Sequence, residues 1–189
     1  MAKLVVGLGN PGSRYETTRH NIGWRVLNAL AHDAKKSFRA AKGDFYACDV
    51  SVAGEGAVLV KPMTYMNDSG VAVAEAVEMY GIDVADELLI VLDEFQLPLG
   101  TIRLTASGGS GGHNGMSSII GTLLTDRFAR LRCGIGRDFN PGDMADYVLA
   151  SFAPEEEPVV SSMVDSARDA VRTFIRDGAV RAMNVYNKL

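Results

Sequence analysis

The side chains in this sequence best suited to hydrolytic chemistry are His20, Asp93 and Asn114, each beside glycines or at the end of an apolar run. His20 falls in Thr18-Arg19-His20-Asn21, Asp93 closes Leu88-Leu89-Ile90-Val91-Leu92, and Asn114 sits in Gly111-Gly112-His113-Asn114-Gly115. An imidazole with a near-neutral pKa can take a proton from water, and a carboxylate on its other ring nitrogen fixes the tautomer and stabilises the imidazolium that forms. Singly, each residue has an ordinary structural explanation, because a histidine at a helix start can cap it and aspartate favours turns. Their combination on separate loops points to a water-activating dyad, His20 with Asp93. His113 is the rival or auxiliary base. Ser110 is a weaker candidate nucleophile, since Gly109-Ser110-Gly111 lacks the G-x-S-x-G elbow between strand and helix. With no His-Glu-x-x-His and no clustered Cys/His pattern, the expectation is a reaction without metal or cofactor.

These residues need a scaffold that brings loops together. Lys3 to Leu8 and Leu88 to Leu92 read as strands covered on both faces, because their apolar runs do not alternate. Ile22, Val26, Leu27 and Leu30 recur at helical spacing, and Val71, Ala74, Val77 and Met79 suggest a second helix with Asn67 or Asp68 near its cap. Phe45 to Val52 and Ala57 to Val60 read as strands on either side of a Gly54-Glu55-Gly56 turn. Thr101 to Thr105 and Arg130 to Ile135 read as two more, separated by a glycine-rich loop from Gly108 to Gly115 and a helix around Met116 to Leu124. Glu155 to Asp177 is a long amphipathic helix, acidic at its start and basic near its end, as the helix dipole prefers. Strands alternating with helices predict an α/β sandwich, with a mostly parallel or mixed central sheet, helices on both faces and functional loops at the strand ends.

The 189 residues fit one domain, 1–189, and a chain of this size buries about two-thirds of its unfolded surface without a metal or disulfide staple. Cys48 and Cys133 lie in strand-like apolar settings and read as buried free thiols. Leu4-Val5-Val6 reaches Gly7 too soon for a signal peptide, and no apolar run approaches the roughly 18 residues of a membrane helix. A cytoplasmic location without membrane contact is expected. The net charge of −4 argues against a nucleic-acid partner, but its distribution softens that reading. Residues 1–62 carry nine bases against five acids and 101–140 five against two, while 63–100 carry eight acids and no base. Gly7-Leu8-Gly9-Asn10-Pro11-Gly12 matches the dinucleotide-binding G-x-G-x-x-G, but the helical pattern begins only near Ile22, too late to present a helix end to a pyrophosphate. These glycines read as turn-formers.

Several blocks together resemble the bacterial peptidyl-tRNA hydrolase family: Val5 to Gly12, Tyr15, Thr18 to Gly23, Lys61 to Gly70, Asp93-Glu94, Leu97 to Gly100 and Gly111 to Gly115. The resemblance implies hydrolysis of the ester between peptide and tRNA, releasing tRNA for reuse in translation and serving ribosome rescue. It makes His20 the general base and Asp93 its orienting partner. Asn10, Asn67 and Asn114 would hold the substrate or the attacked ester, with Tyr15 and Met66 lining the cleft and Asn21, His113 and Arg132 as auxiliaries. Carboxamides suit the task because neutral donors and acceptors hold amides, water or an oxyanion without competing for the proton that His20 accepts. An ester is easier to hydrolyse than an amide, so water activation and oxyanion support suffice. The implied partner is peptidyl-tRNA, the implied state a monomer, and the alternative a non-catalytic RNA-binding relative. Two departures stand out: Phe95-Gln96 replaces the usual Leu-Asp, and Thr105, Asp138, Asp143 and Asp146 occupy a region where family members place lysines. Arg103, Arg130, Arg132 and Arg137 are the arginines expected to grip phosphate instead.

Overall fold

The computed structural model describes residues 2–187. Its centre is a seven-stranded mixed sheet in the order β2-β3-β4-β1-β5-β7-β6. The strands are β1 (Lys3–Gly7), β2 (Arg39–Ala40), β3 (Phe45–Val52), β4 (Glu55–Pro62), β5 (Leu88–Glu94), β6 (Ile102–Thr105) and β7 (Ala129–Gly134). The four inner strands β4, β1, β5 and β7 run parallel, and antiparallel pairings flank them at both edges. The helices are α1 (Ile22–Asp33), α2 (Ser69–Tyr80), α3 (Val84–Glu87), α4 (Asn114–Leu123), α5 (Met144–Val148), α6 (Glu157–Asp177) and α7 (Ala179–Tyr186). No helix among the described residues is long and apolar enough to cross a membrane.

Both faces of the sheet are covered, which is why β1 and β5 read as unbroken apolar runs. Val5, Leu89, Val91, Leu131 and Cys133 pack with α1, α6 and α7 on one face. Leu4, Val6, Leu88, Ile90 and Leu92 pack with α2 and α4 on the other. Cys48 and Cys133 are buried and unpaired, as expected. Burial and the nearby Asp93 charge push the Cys133 thiol up to about 12, so it stays protonated and inert.

Three readings of the sequence are corrected. The hairpin turn is the two residues Ala53 and Gly54, with φ 53° and 90°, so β4 begins at Glu55 rather than Ala57. Two consecutive left-handed residues match the twist of the flanking strands. In α2 the buried face is Ala72, Val73 and Ala76, while Val71 and Met79 are exposed. Small residues form the contact there because α2 lies close to α4: a Cβ on Gly70 would strike the Ser118 backbone. The glycines of the false dinucleotide motif divide their work. Gly12, at φ 109°, makes a turn, but a Cβ on Gly7 would lie 2.5 Å from the Gly23 carbonyl oxygen, so Gly7 and Gly23 let α1 settle onto β1 and β5.

The elements the sequence did not announce are β2, α3, α5 and α7. β2 has two residues, α3 four and α5 five, too few for periodicity to show. α7 does carry an apolar stripe of Ala179, Ala182, Met183 and Tyr186 against the core, which the sequence reading passed over beyond the Gly178 break. The parallel strands bring the loops after β1, β4 and β5 to one edge of the sheet. The loop between β6 and α4 climbs back to that edge across the face of β7.

Candidate active site

Asp93 is the penultimate residue of β5 and 3% exposed. The apolar run that makes β5 a central strand therefore carries a carboxylate into a nearly dry position. Two imidazoles offset that cost. His20, on the single turn Arg19–Asn21 before α1, places Nδ1 2.9 Å from Asp93 Oδ2 and 3.0 Å from Oδ1. His113, immediately before α4, places Nε2 2.8 Å from Asp93 Oδ1. Burial alone would push the Asp93 carboxyl up, but both imidazoles and their hydrogen bonds hold it well below the usual carboxylate range. Burial disfavours a charged His20, yet the charge and hydrogen bond of Asp93 outweigh it, so His20 titrates above its ordinary value.

The hydrogen bonds separate the two histidines. His113 Nδ1 accepts the Met116 backbone N–H at 3.3 Å, capping α4, so the proton of a neutral His113 sits on Nε2 and is donated to Asp93. Both of its ring nitrogens are occupied. His20 donates from Nδ1 to Asp93, which leaves Nε2 unprotonated when the ring is neutral and with no protein partner among the described residues. Of the pair, only His20 has a nitrogen available to water.

The dyad lines a cavity of about 280 Å³. Asn10, Met66, Asn67 and Asn114 line it too, together with Tyr65, Glu94 and Phe95, and α5 closes one wall with Met144, Ala145 and Val148. Asn10 and Met66 are tied together, since the Met66 backbone N–H donates to Asn10 Oδ1 at 2.8 Å. Asn21 does not line the cavity. Its carboxamide accepts from the Asn10 backbone N–H at 2.9 Å and donates to the Asn10 carbonyl at 3.0 Å, gripping the loop that carries Asn10. Tyr15 also lies outside the cavity, beneath the Arg14 guanidinium at 4.6 Å from its ring centroid. Gln96 is exposed and does not line the cavity, whereas Phe95 beside it does.

The α5 wall and its anchor escaped the sequence reading. Arg19 donates to the carbonyls of Tyr147 at 3.2 Å and Ala150 at 3.3 Å, pairs with Glu156 at 3.1 Å and stacks on the Tyr147 ring at 4.1 Å. Its position beside His20 in the sequence was the available signal. The arginines expected to grip phosphate differ among themselves. Arg103 and Arg137 are exposed, whereas Arg132 is partly buried, 3.7 Å from Glu94. Arg130 is 0% exposed and bonded to backbone carbonyls, which removes it from any phosphate.

His20, Asp93 and His113 are the one three-donor cluster among the described residues that could hold a metal ion. Their N···O separations of 2.8 to 3.0 Å are hydrogen-bond distances. Ligands about 2 Å from a tetrahedral ion stand roughly 3.3 Å apart, so this set is spaced to share protons.

Comparison with known proteins fits this arrangement. The sequence model of the family described as peptidyl-tRNA hydrolase matches residues 4–189. The chain belongs to the peptidyl-tRNA hydrolase family. A peptidyl-tRNA hydrolase of Chloroflexus aggregans is 47% identical, over 98% of this chain and 99% of that one. The peptidyl-tRNA hydrolase of Geobacillus thermodenitrificans is also 47% identical, over 98% and 100%. A crystal structure of peptidyl-tRNA hydrolase from Acinetobacter baumannii superposes with TM-score 0.92 at 34% identity, covering 98% of this chain and 94% of the other. This peptidyl-tRNA hydrolase-family chain therefore shares the fold of its relatives across nearly its whole length, as the resemblance implied.

Proposed function

We propose that the protein hydrolyses the ester joining a peptide to the 3′ end of tRNA, with His20 as general base. The observation that carries this reading is the free Nε2 of His20 in the cavity, opposite the Nδ1 held by Asp93. Water gives a proton to Nε2 as its oxygen attacks the ester carbonyl carbon. The tetrahedral oxyanion then collapses, the bond to the ribose oxygen breaks, and the imidazolium returns its proton to that oxygen.

The Asn10 Oδ1 is occupied by Met66, so the role assigned to Asn10 is donation from Nδ2 to a substrate oxygen. Asn67 and Asn114, exposed on the cavity wall, supply the adaptable contacts to peptide and oxyanion. Met66 packs the floor, and Asn21 acts by fixing the Asn10 loop. The role left to Tyr15 is a tRNA contact outside the cavity. His113 serves Asp93, holding its second lone pair and keeping it ionised.

Residues 1–189 are assigned to one domain acting as a cytoplasmic monomer on peptidyl-tRNA. The single sheet shared by both apolar clusters and the family match over residues 4–189 support the single domain. The test is hydrolysis of a peptidyl-tRNA mimic by wild type beside His20→Ala. The substitution should cost about 10²- to 10⁴-fold in kcat. Equal rates would reject His20 as base, and inactivity of both proteins would favour the non-catalytic RNA-binding relative.

A further inference from the structure

The strand β7 alternates in an unusual way. Ala129, Leu131 and Cys133 turn to the core formed with α1 and α6, while Arg130 and Arg132 take the opposite face, where a buried strand ordinarily presents apolar side chains. Arg130 is among the largest wholly buried side chains of the protein, at 0% exposure. Its guanidinium stacks on Phe128, 4.6 Å from the ring centroid. No carboxylate hydrogen-bonds to it; every partner is a backbone carbonyl: Gly108 and Gly109, the latter at 3.0 Å, together with Asp126 at 2.7 Å and Phe128 at 3.3 Å.

Those first two carbonyls belong to the loop Ala106 to His113, which holds four glycines, three of them with positive φ: Gly108 at 143°, Gly111 at 59° and Gly112 at 80°. Such a segment has little conformational preference of its own. It must nonetheless deliver His113 to Asp93 and Asn114 to the cavity wall. Beside the clamp, the Gly108 N–H donates to the Asp126 carbonyl at 3.3 Å. Asp93 pairs in register with Cys133, three positions beyond Arg130, so the clamp sits about 10 Å down the sheet from the level of Asp93. The loop is thus held at both ends, by Arg130 at Gly108 and Gly109 and by the bonds of His113 to Asp93 and Met116.

We propose that Arg130 is a positioning residue for the hydrolytic site, holding the Gly108 and Gly109 carbonyls so that the glycine loop delivers His113 and Asn114 to Asp93 and the cavity. The inference rests on the proposed function, and it separates Arg130 from its neighbour Arg132. One anchors a loop from beneath, and the other keeps a partly exposed guanidinium that can meet phosphate.

The experiment compares wild type, Arg130→Lys, Arg130→Ala and Arg132→Ala on peptidyl-tRNA, with folding followed by circular dichroism. Arg130→Lys keeps the charge and loses the fork, and displacement of reacting groups by about 1 Å can cost 10²-fold. The expected result is kcat lowered about 10- to 100-fold, with the salt dependence of binding unchanged. Arg132→Ala should move KM and the salt dependence instead. Guanidinium ion added to Arg130→Ala should restore part of the lost kcat, a rescue that a general loss of stability would not give. Active wild type with unchanged kcat in folded Arg130 variants would overturn the inference while sparing the proposed function; inactive wild type would overturn that function first. Should no Arg130 variant fold, backbone order parameters of wild type decide. A clamped loop gives values near 0.85 at Gly108 and Gly109, and values under about 0.6 would refute the clamp.

Discussion

Replacing Asp93 by asparagine tests the hydrogen-bond logic of the site more sharply than deleting it. The carboxylate accepts from two imidazoles at once, His20 Nδ1 and His113 Nε2. A carboxamide puts a donating NH2 in place of one oxygen, so whichever way it is turned an imidazole N–H faces a donor and that histidine is driven to reverse its tautomer. Reversal at His113 would put a proton on Nδ1, facing the Met116 N–H that it now caps, at a cost of about 1 kcal/mol or more for the lost cap. Reversal at His20 breaks no other bond, so the carboxamide will donate to His20 Nδ1 and drive the proton to Nε2. The nitrogen that should receive a proton from water then already carries one. In a serine protease triad, the same carboxylate-to-carboxamide change, acting through the wrong tautomer, costs about 10⁴-fold in kcat. A loss of about 10³- to 10⁴-fold is expected here, equal to about 4 to 5.5 kcal/mol of transition-state stabilisation at about 1.36 kcal/mol per tenfold. Single-turnover hydrolysis of peptidyl-tRNA measures the loss, and nitrogen-15 NMR of the His20 ring reads the tautomer directly. A folded Asp93→Asn protein within tenfold of wild-type kcat, or one whose His20 keeps its proton on Nδ1, would refute the reasoning.

The pH dependence follows from the same geometry. His20 works only when neutral and titrates above its ordinary value, so kcat/KM should rise with pH through a midpoint above 6.5, and a flat profile between about pH 5 and 8 would exclude the imidazole. The raised value also means that protonated His20 favours the folded state. That stabilisation is complete below about pH 6.5 and disappears as pH rises through the folded-state value, which thermal unfolding of wild type and His20→Gln at several pH values will show. Arg132→Ala should flatten the salt dependence of tRNA binding by about one unit of slope, and an unchanged slope would remove Arg132 from the phosphate contacts. Gly23→Ala would gain about 1 kcal/mol on an exposed helix. Here its Cβ meets the backbone of Val91 and Leu8, so a loss of about 1 to 3 kcal/mol is expected in urea titration, and any gain would contradict the close packing of α1.

What the sequence by itself determined were features with a local cause. Leu88 to Leu92 announced a central strand because an unbroken apolar run has to be covered on both sides. Ile22, Val26, Leu27 and Leu30 announced the helix behind His20 because their spacing makes one apolar stripe, and all four are buried. The motifs around His20, Asp93 and Asn114 named the residues that line the cavity for the same reason, since chemistry needs particular side chains on particular loops.

Tertiary structure alone decided the matters that depend on long-range contacts. Whether His20 or His113 keeps a free nitrogen turns on a backbone N–H at Met116 and a carboxylate 73 residues away from His20 in sequence. Four arginines carry the same charge in the sequence, yet the pairing of β7 beneath a glycine loop buries Arg130 and leaves Arg132 partly open. The wall contributed by α5 could not be read from a five-residue helix that buries none of its own side chains; Arg19 and the cavity hold it in place. Composition and periodicity report what each segment needs to bury, whereas hydrogen-bond partners and free lone pairs exist only once distant segments have met.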